Sequence, residues 1–146
     1  MLRNKTSVAL RLHLANGTRT TYAYDDSGKV TAVVHQKSDA TTITRFDYAY
    51  DAAGNRTSVL EWGGDRVTWT YDDADQLTRE RRSGANAYDT TFTYDAAGKR
   101  LVKIEDGAGV TTYTYEAAGK LHTLNVVTLT PIEALTILDE LARESR

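Results

Sequence analysis

The sequence predicts an all-β fold of antiparallel β-hairpin repeats, with about eleven strands in a curled sheet or small barrel and one C-terminal amphipathic capping helix. Three observations lead to this prediction. A Tyr-Asp-x-x-Gly segment recurs along the chain, the residues before each copy alternate between aromatic and small or polar side chains, and a helical pattern replaces this alternation after residue 130.

The recurring segment is clearest at residues 94–99, where it reads YDAAGK, and its five anchoring tyrosines are 26, 21, 23 and 21 residues apart. A near-constant period of this size is typical of repeat architectures. The repeat-defining residues are the tyrosines Tyr24, Tyr50, Tyr71, Tyr94 and Tyr115, the aspartates Asp25, Asp51, Asp72 and Asp95, and the glycines Gly28, Gly54, Gly98 and Gly119.

Each copy is predicted to be a hairpin. Alternation such as Phe46, Tyr48 and Tyr50 is typical of a strand with one buried face. The aspartate starts a turn by accepting a hydrogen bond from the backbone two residues on, and glycine at the fourth position takes a positive φ, which suits a type I turn closed by a bulge. Asp75 replaces one glycine and tolerates that conformation, whereas Glu116 replaces one aspartate and predicts a looser turn.

The predicted strands follow one another with short turns between them. The segment Lys37–Ala40 is predicted to be the longest internal loop and to account for the stretched period of 26 residues. The strands are expected at Ser7–Leu14, Thr18–Tyr24, Val30–His35, Thr41–Tyr50, Asn55–Trp62, Arg66–Tyr71, Gln76–Ser83, Tyr88–Tyr94, Lys99–Glu105, Val110–Tyr115 and Lys120–Leu129.

The C-terminal end carries a helix signal. Thr130, Pro131 and Glu133 form a capping box, with proline at the first helical position. The run 131–144 places its leucines and isoleucines along one stripe, so we expect this helix to pack on the sheet and finish its open end. Residues 1–146 are thus expected to form a single repeat domain.

The five copies in phase resemble the YD repeat of the rearrangement-hotspot (Rhs) family, over roughly Thr18–Val127. That family includes the shells of bacterial polymorphic toxins, the cocoon subunits of Tc toxins and the β-barrel of teneurins. The resemblance implies hairpins in a long sheet that spirals into a hollow shell, in proteins that are often secreted or on the cell surface. Shells of this family often end in a self-cleaving aspartyl region, but this sequence has no Asp-Pro pair, so that activity does not carry over.

Eleven strands at a spacing of about 4.8 Å span only about 50 Å, which leaves no room for a protein cargo. The chain is therefore interpreted as a non-enzymatic structural or interaction module, either a miniature or a fragment of an Rhs-type shell. Sheet edges or the helix would provide the surfaces for a homo-oligomer or a protein partner.

Composition excludes several classes. A net charge of −2 and a pI near 5.9 favour neither nucleic acid nor an anionic membrane as partner. The absence of cysteine removes disulfides and thiolate metal sites but leaves the compartment open. The N-terminal segment lacks the apolar run of a signal peptide, and no window has the apolar length of a membrane helix.

No catalytic, cofactor or metal site is predicted. His13, His35 and His122 fall on different strands without metal-ligand spacing. The cluster Asp72, Asp73 and Asp75 has the oxygen ligands that calcium prefers, although a turn-forming, solvated role is favoured. The basic residues near Arg79 and Lys99 alternate with glutamates, which indicates a solvated face, and neither a nucleophile elbow nor a phosphate loop is present.

Aromatic side chains recur on successive predicted strands and form an aromatic ladder, which leaves one alternative function open. Its members are Tyr22, Tyr24, Tyr48, Tyr50, Trp69, Tyr71, Phe92, Tyr94, Tyr113 and Tyr115. Rings that recur on neighbouring strands are expected mainly to stack across strands, where each pair contributes about 0.2–1 kcal/mol. A row of rings is also a platform for sugars, so the alternative function is a carbohydrate-binding module.

Overall fold

A computed structural model describes residues 9–107, 109–128 and Glu133. These residues form eleven β-strands joined by turns of three to five residues. The strands are β1 (Ala9–His13), β2 (Arg19–Tyr24), β3 (Val30–Gln36), β4 (Thr42–Tyr50), β5 (Arg56–Glu61), β6 (Arg66–Tyr71), β7 (Leu77–Ser83), β8 (Tyr88–Tyr94), β9 (Arg100–Glu105), β10 (Gly109–Tyr115) and β11 (Leu121–Val127).

The strands lie in one sheet in chain order, from β1 to β11. The predicted all-β, antiparallel hairpin architecture is therefore confirmed. In this order β1 and β11 are edge strands, and no pairing joins them in the described part of the chain, so the small barrel is not formed. The order follows from the sequence because each short turn can only return the chain to the adjacent position.

The stretched period has a different cause from the predicted one. Residues 37–41 form a turn of the same length as residues 25–29 and 51–55, so the prediction of a longer loop was wrong. Most of the extra residues lie in the strands, since β3 has seven residues and β4 nine, against six in both β5 and β6. The turn itself adds one residue relative to the turn at residues 62–65. Ala40 takes the positive-φ position that glycine normally fills, which concealed the turn in the sequence.

The chain divides into two compact units, one comprising residues 1–68 and 83–85, the other residues 69–82 and 86–146. In the first unit, buried Val59 and Val67 lie directly opposite one another between β5 and β6. In the second, Val102, Ile104 and Val110 form a small buried cluster, because β-branched side chains from β9 and β10 meet on one face.

The predicted helix over 131–144, with Thr130 and Pro131 of its capping box, lies outside the described residues. Glu133 alone is described there, and one residue does not establish a helix. Of the strand predicted from Ser7, residues 7 and 8 likewise lie outside. Within the described ranges, the structure contains no helix long and apolar enough to cross a membrane.

The strained alanine permits a stability prediction. Ala40 has a φ of 71°, a left-handed conformation that is unfavourable for any residue with a Cβ atom. Ala40→Gly is expected to raise the free energy of unfolding by about 0.5 kcal/mol, because relief of strain exceeds the entropy lost with glycine. Urea denaturation measures the change. Ala49→Gly in strand β4 is the control and should lower stability by about 0.5–1 kcal/mol; a loss at both positions would contradict the assigned turn.

Candidate functional site: the repeated tyrosine–aspartate turns

The structure places the five anchoring tyrosines at equivalent positions. Tyr24, Tyr50, Tyr71, Tyr94 and Tyr115 are the last residues of β2, β4, β6, β8 and β10, respectively. The aspartate or glutamate that follows each tyrosine begins the turn. Each of the five turns therefore joins an even-numbered strand to the odd-numbered strand that follows it.

The turns share one hydrogen-bonding pattern. In the turn that begins at Asp95, the backbone N–H of Asp95 donates to the carbonyl of Lys99 at 2.8 Å, and Gly98 N–H donates to the carbonyl of Asp95 at 2.9 Å. The Asp95 carboxylate accepts from the N–H groups of Ala97 and Lys99, at 2.9 and 2.8 Å. A one-residue register shift precedes Tyr94, as a turn followed by a bulge requires. Asp25 and Asp72 accept the equivalent pair of hydrogen bonds in their own turns. Asp51 accepts instead from the N–H groups of Gly54 and Asn55, both at 2.8 Å.

The two departures from the pattern keep the backbone geometry. Asp75 has a φ of 59°, in the left-handed region where the other copies have glycine. The Glu116 turn closes with backbone hydrogen bonds of 2.9 and 2.8 Å, so its backbone is no looser than that of the other copies. The Glu116 carboxylate instead lies 3.7 Å from the Nδ1 atom of His122.

Three of the anchoring tyrosines tie one hairpin to the next through their hydroxyl groups. The hydroxyl of Tyr50 donates to the backbone carbonyl of Val30 at 2.9 Å. The same bond joins Tyr94 to Leu77 and Tyr115 to Arg100, both at 2.8 Å. Each acceptor lies two residues beyond the positive-φ residue of the preceding turn. We call these three bonds the tyrosine clamps; a neutral hydrogen bond of this kind contributes about 1 kcal/mol.

Basic residues reinforce the clamps at some positions. The residue after the turn glycine places its ammonium group over the next anchoring ring: Lys29 lies 5.5 Å from the centre of Tyr50, and Lys99 lies 5.4 Å from the centre of Tyr115. An attraction of this kind between cation and ring contributes about 0.5–1 kcal/mol at exposed sites. Each of these hairpins is thus tied to its neighbour by side chains that belong to the repeat itself.

A groove of about 430 Å³ lies within the second unit. The carboxylate of Glu80 accepts hydrogen bonds there from the indole N–H of Trp69 at 2.8 Å and from the hydroxyl of Tyr88 at 2.5 Å. The Arg100 guanidinium covers the Phe92 ring at 4.5 Å. Carboxylates outnumber cations along the groove, so its net charge disfavours an anionic ligand; the charged lining residues are Glu80, Asp89, Glu105, Asp106, Arg100 and Lys103.

The other polar side chains considered as functional-site candidates either contact residues of the sheet or lie on its strands. Arg79 makes a bidentate ion pair with Asp89, and Nδ1 of His35 lies 2.9 Å from the hydroxyl of Thr20. His13 lies on β1 and His122 on β11. Across the described ranges, no group of three or more histidine, aspartate or glutamate side chains is arranged to hold a metal ion.

The turn aspartates predict a dependence of stability on pH. The N–H of Lys99, and after it the Lys99 side chain, hold the pKa of Asp95 below its ordinary value. The unfolded carboxyl titrates near its ordinary pKa of about 3.9, so the stabilisation is present above that pH and is lost as the pH falls through the lower, folded pKa. Thermal melting between neutral and acidic pH should show this loss. Asp95→Asn, which keeps the turn-forming oxygen without the charge, should flatten the profile; an unchanged profile in that variant would exclude Asp95 as a contributor.

Sequence reasoning located the turns but missed the clamps and the groove. Each clamp joins residues 15 to 20 positions apart, and only the sheet register brings them together. One signal was available: once tyrosines end the strands, a side chain of that length reaches the carbonyl at the base of the neighbouring turn. The groove depends on side-chain orientations that period-two patterning does not specify.

Comparison with known proteins supports the repeat assignment. The RHS repeat family model matches residues 50–87 and 94–128, which together make up half of the chain. No curated protein sequence matches the chain significantly.

Two solved structures share the fold. A chain in the crystal structure of TcdB2–TccC3–Cdc42 superposes with a TM-score of 0.64 and 18% sequence identity, over 76% of this chain and 6% of that chain. A chain in the Photorhabdus luminescens Tc holotoxin pore with a mutated TccC3 superposes with a TM-score of 0.61 and 16% identity, over 84% of this chain and 9% of that chain. The present chain thus spans a small part of those much longer proteins.

Proposed function

Because the chain belongs to the RHS repeat family, we propose that it is a non-enzymatic structural module, a short length of repeat wall that associates with other proteins or with itself. The tyrosine clamps carry this proposal. Each one joins the hydroxyl of a repeat tyrosine to the backbone of the neighbouring hairpin, which is the nearest-neighbour coupling that repeat scaffolds rely on.

A wall segment also fits the relation to longer proteins. The matched chains contain far more residues than this one, which covers 6% and 9% of them. A short array of the same hairpins provides too little sheet to enclose a cargo. Its role is then to supply a continuous hydrogen-bonded surface whose edge strands pair with further strands.

Size-exclusion chromatography with light scattering tests the association. The particle mass measured for the full chain is expected to rise above the mass of a monomer as the protein concentration increases. A monomer at every concentration would contradict self-association. It would leave the wall-segment role to be judged from the clamps, whose contribution to stability is measured separately.

A second candidate function is carbohydrate binding, and the groove of the second unit favours it. Aromatic side chains (Tyr88 and Phe92) and hydrogen-bonding groups of both kinds, including Lys103 and Asp106, surround a space of about 430 Å³. A neutral polyol suits such a mixture, because it offers both donors and acceptors together with an apolar face.

A glycan array tests this candidate, followed by titration of any bound sugar against tryptophan fluorescence. Trp69 reports on the groove because its indole N–H is bonded to Glu80. Phe92→Leu should weaken binding, whereas Trp62→Phe, a change at an exposed side chain outside the groove, should not. An array without signal would remove the candidate.

A further inference from the structure

Strand β11, which has one sheet neighbour among the described residues, is unusually apolar for an edge strand. Its seven residues, LHTLNVV, include no aspartate, glutamate, lysine, arginine or proline. Leu124 and Val126 expose 50% and 66% of their surface. Natural edge strands commonly carry lysine, proline or inward-pointing charges that prevent pairing with another chain, and β11 has none of these.

The register with β10 shows how β11 presents its side chains. Leu124 lies opposite Tyr113, and Val126 opposite Thr111, so both project from one face of the sheet. Asn125 lies opposite Thr112 on the other face. This regular alternation holds from Thr123 to Val127, beyond the register shift near Tyr115.

We propose that β11 pairs with β11 of a second copy of this chain, antiparallel, about a two-fold axis that passes through Asn125 and is normal to the sheet. This inference rests on the self-association proposed above and specifies its surface. The two-fold places Asn125 opposite its counterpart, and Leu124 of each copy opposite Val126 of the other.

Symmetry restricts the registers that can form. A two-fold axis normal to the sheet keeps each side chain on its own face, so a residue can lie opposite only a residue of the same face. An axis through Asn125 creates two Leu124–Val126 contacts on one face. On the other face it creates an amide–amide pair, flanked by Thr123 opposite Val127.

The neighbouring registers match the side chains of the Leu124–Val126 face less well. An axis through Leu124 would place Val126 opposite His122, and an axis through Val126 would place Leu124 opposite Thr128. An axis through Thr123 would place Leu124 opposite His122. Within the regular stretch Thr123–Val127, the axis through Asn125 alone pairs both Leu124 and Val126 with apolar partners, and such cross-strand pairs stabilise an antiparallel junction. Val127, which is also exposed, lies opposite Thr123 on the other face.

Single cysteines test the register, because the chain contains no cysteine of its own. Asn125→Cys brings two thiols together across the axis, since opposite Cα atoms in an antiparallel pair are about 4.5–5.5 Å apart and disulfides span about 4.4–6.8 Å. Oxidation of the full-length variant with copper phenanthroline should convert most of it to a covalent dimer. Thr123→Cys, on the same face, is the matched control and should remain uncrosslinked, because its counterpart lies about four residues away along the strand.

A charged substitution on β11 tests whether this strand forms the dimer interface. Val126→Lys removes two apolar contacts and should weaken dimerisation about tenfold in sedimentation equilibrium. Leu12→Lys, at an exposed leucine of the opposite edge strand β1, should leave dimerisation unchanged. Circular dichroism of both variants verifies that the strands persist.

The outcomes separate this inference from the function on which it rests. Crosslinking of the Asn125→Cys variant together with loss of association in Val126→Lys supports the assigned edge and register. Dimers that crosslink in the Thr123→Cys variant instead, or that are weakened by Leu12→Lys, overturn the assignment while self-association stands. A monomer that fails to crosslink overturns both, and leaves the edge to residues 129–146 or to a different protein.

Discussion

Gly109→Ala is expected to lower the free energy of unfolding by about 3 kcal/mol, a large loss for the addition of one methyl group. Gly109 begins strand β10 with a φ of 128°, a conformation open essentially to glycine. A Cβ atom there would lie 2.5 Å from the carbonyl oxygen of Val127 and 3.1 Å from the Cα atom of Thr128. Both atoms belong to the backbone, so β11 must move away from β10 to make room.

Urea denaturation followed by circular dichroism measures this loss. Gly107→Ala is the matched control, because Gly107 also has a positive φ, of 74°, while an added Cβ atom meets no described atom within 4 Å. The control should lose only about 1 kcal/mol, from backbone strain alone. Equal losses in the two variants would show that β11 does not pack against Gly109.

Gly98→Val is expected to lower stability by about 2 kcal/mol, because a β-branched residue is poorly accommodated at the φ of 78° that this turn requires. The clash is secondary, since a Cβ atom would meet only the amide nitrogen of the flexible Gln76 side chain, at 2.9 Å. Strain in the backbone therefore dominates the expected effect.

The companion variant Gly98→Asn separates conformation from size. Asparagine visits the left-handed region more readily than most residues, and Asp75 already occupies the equivalent position with a φ of 59°. We expect this variant to lose less than about 1 kcal/mol. Thermal melting of both variants would contradict the turn assignment if valine and asparagine were equally tolerated.

Local chemistry made most of the fold predictable. The Tyr-Asp-x-x-Gly pattern contains a strand end, a turn starter and a positive-φ residue within five positions, so the strand ends at Tyr50 and Tyr94 follow from the sequence alone. The prediction was wrong at residues 37–41, where Ala40 adopts a glycine conformation without glycine. Here the neighbouring strands impose a backbone geometry that local propensity opposes.

The long-range features could not be predicted in the same way. The hydroxyl of Tyr94 reaches the carbonyl of Leu77 because the turn and its bulge fix a register between hairpins, and periodicity does not specify that register. The groove depends on how Arg100 lies over Phe92. The exposure of β11, by contrast, follows from the strand order alone, because that order places this apolar seven-residue strand at one end of the described sheet.

Coupling between the repeats depends most on the tyrosine clamps, and two neighbouring tyrosine hydroxyls in β4 test it directly. Tyr50→Phe removes the hydrogen bond to Val30 but keeps the ring beneath Lys29. Tyr48→Phe removes a hydroxyl that makes no hydrogen bond in the described part of the chain, while its ring stays against Arg56. In urea denaturation, Tyr50→Phe should lose about 1 kcal/mol and Tyr48→Phe only a few tenths; equal losses would contradict the claim that hydroxyl clamps couple the repeats.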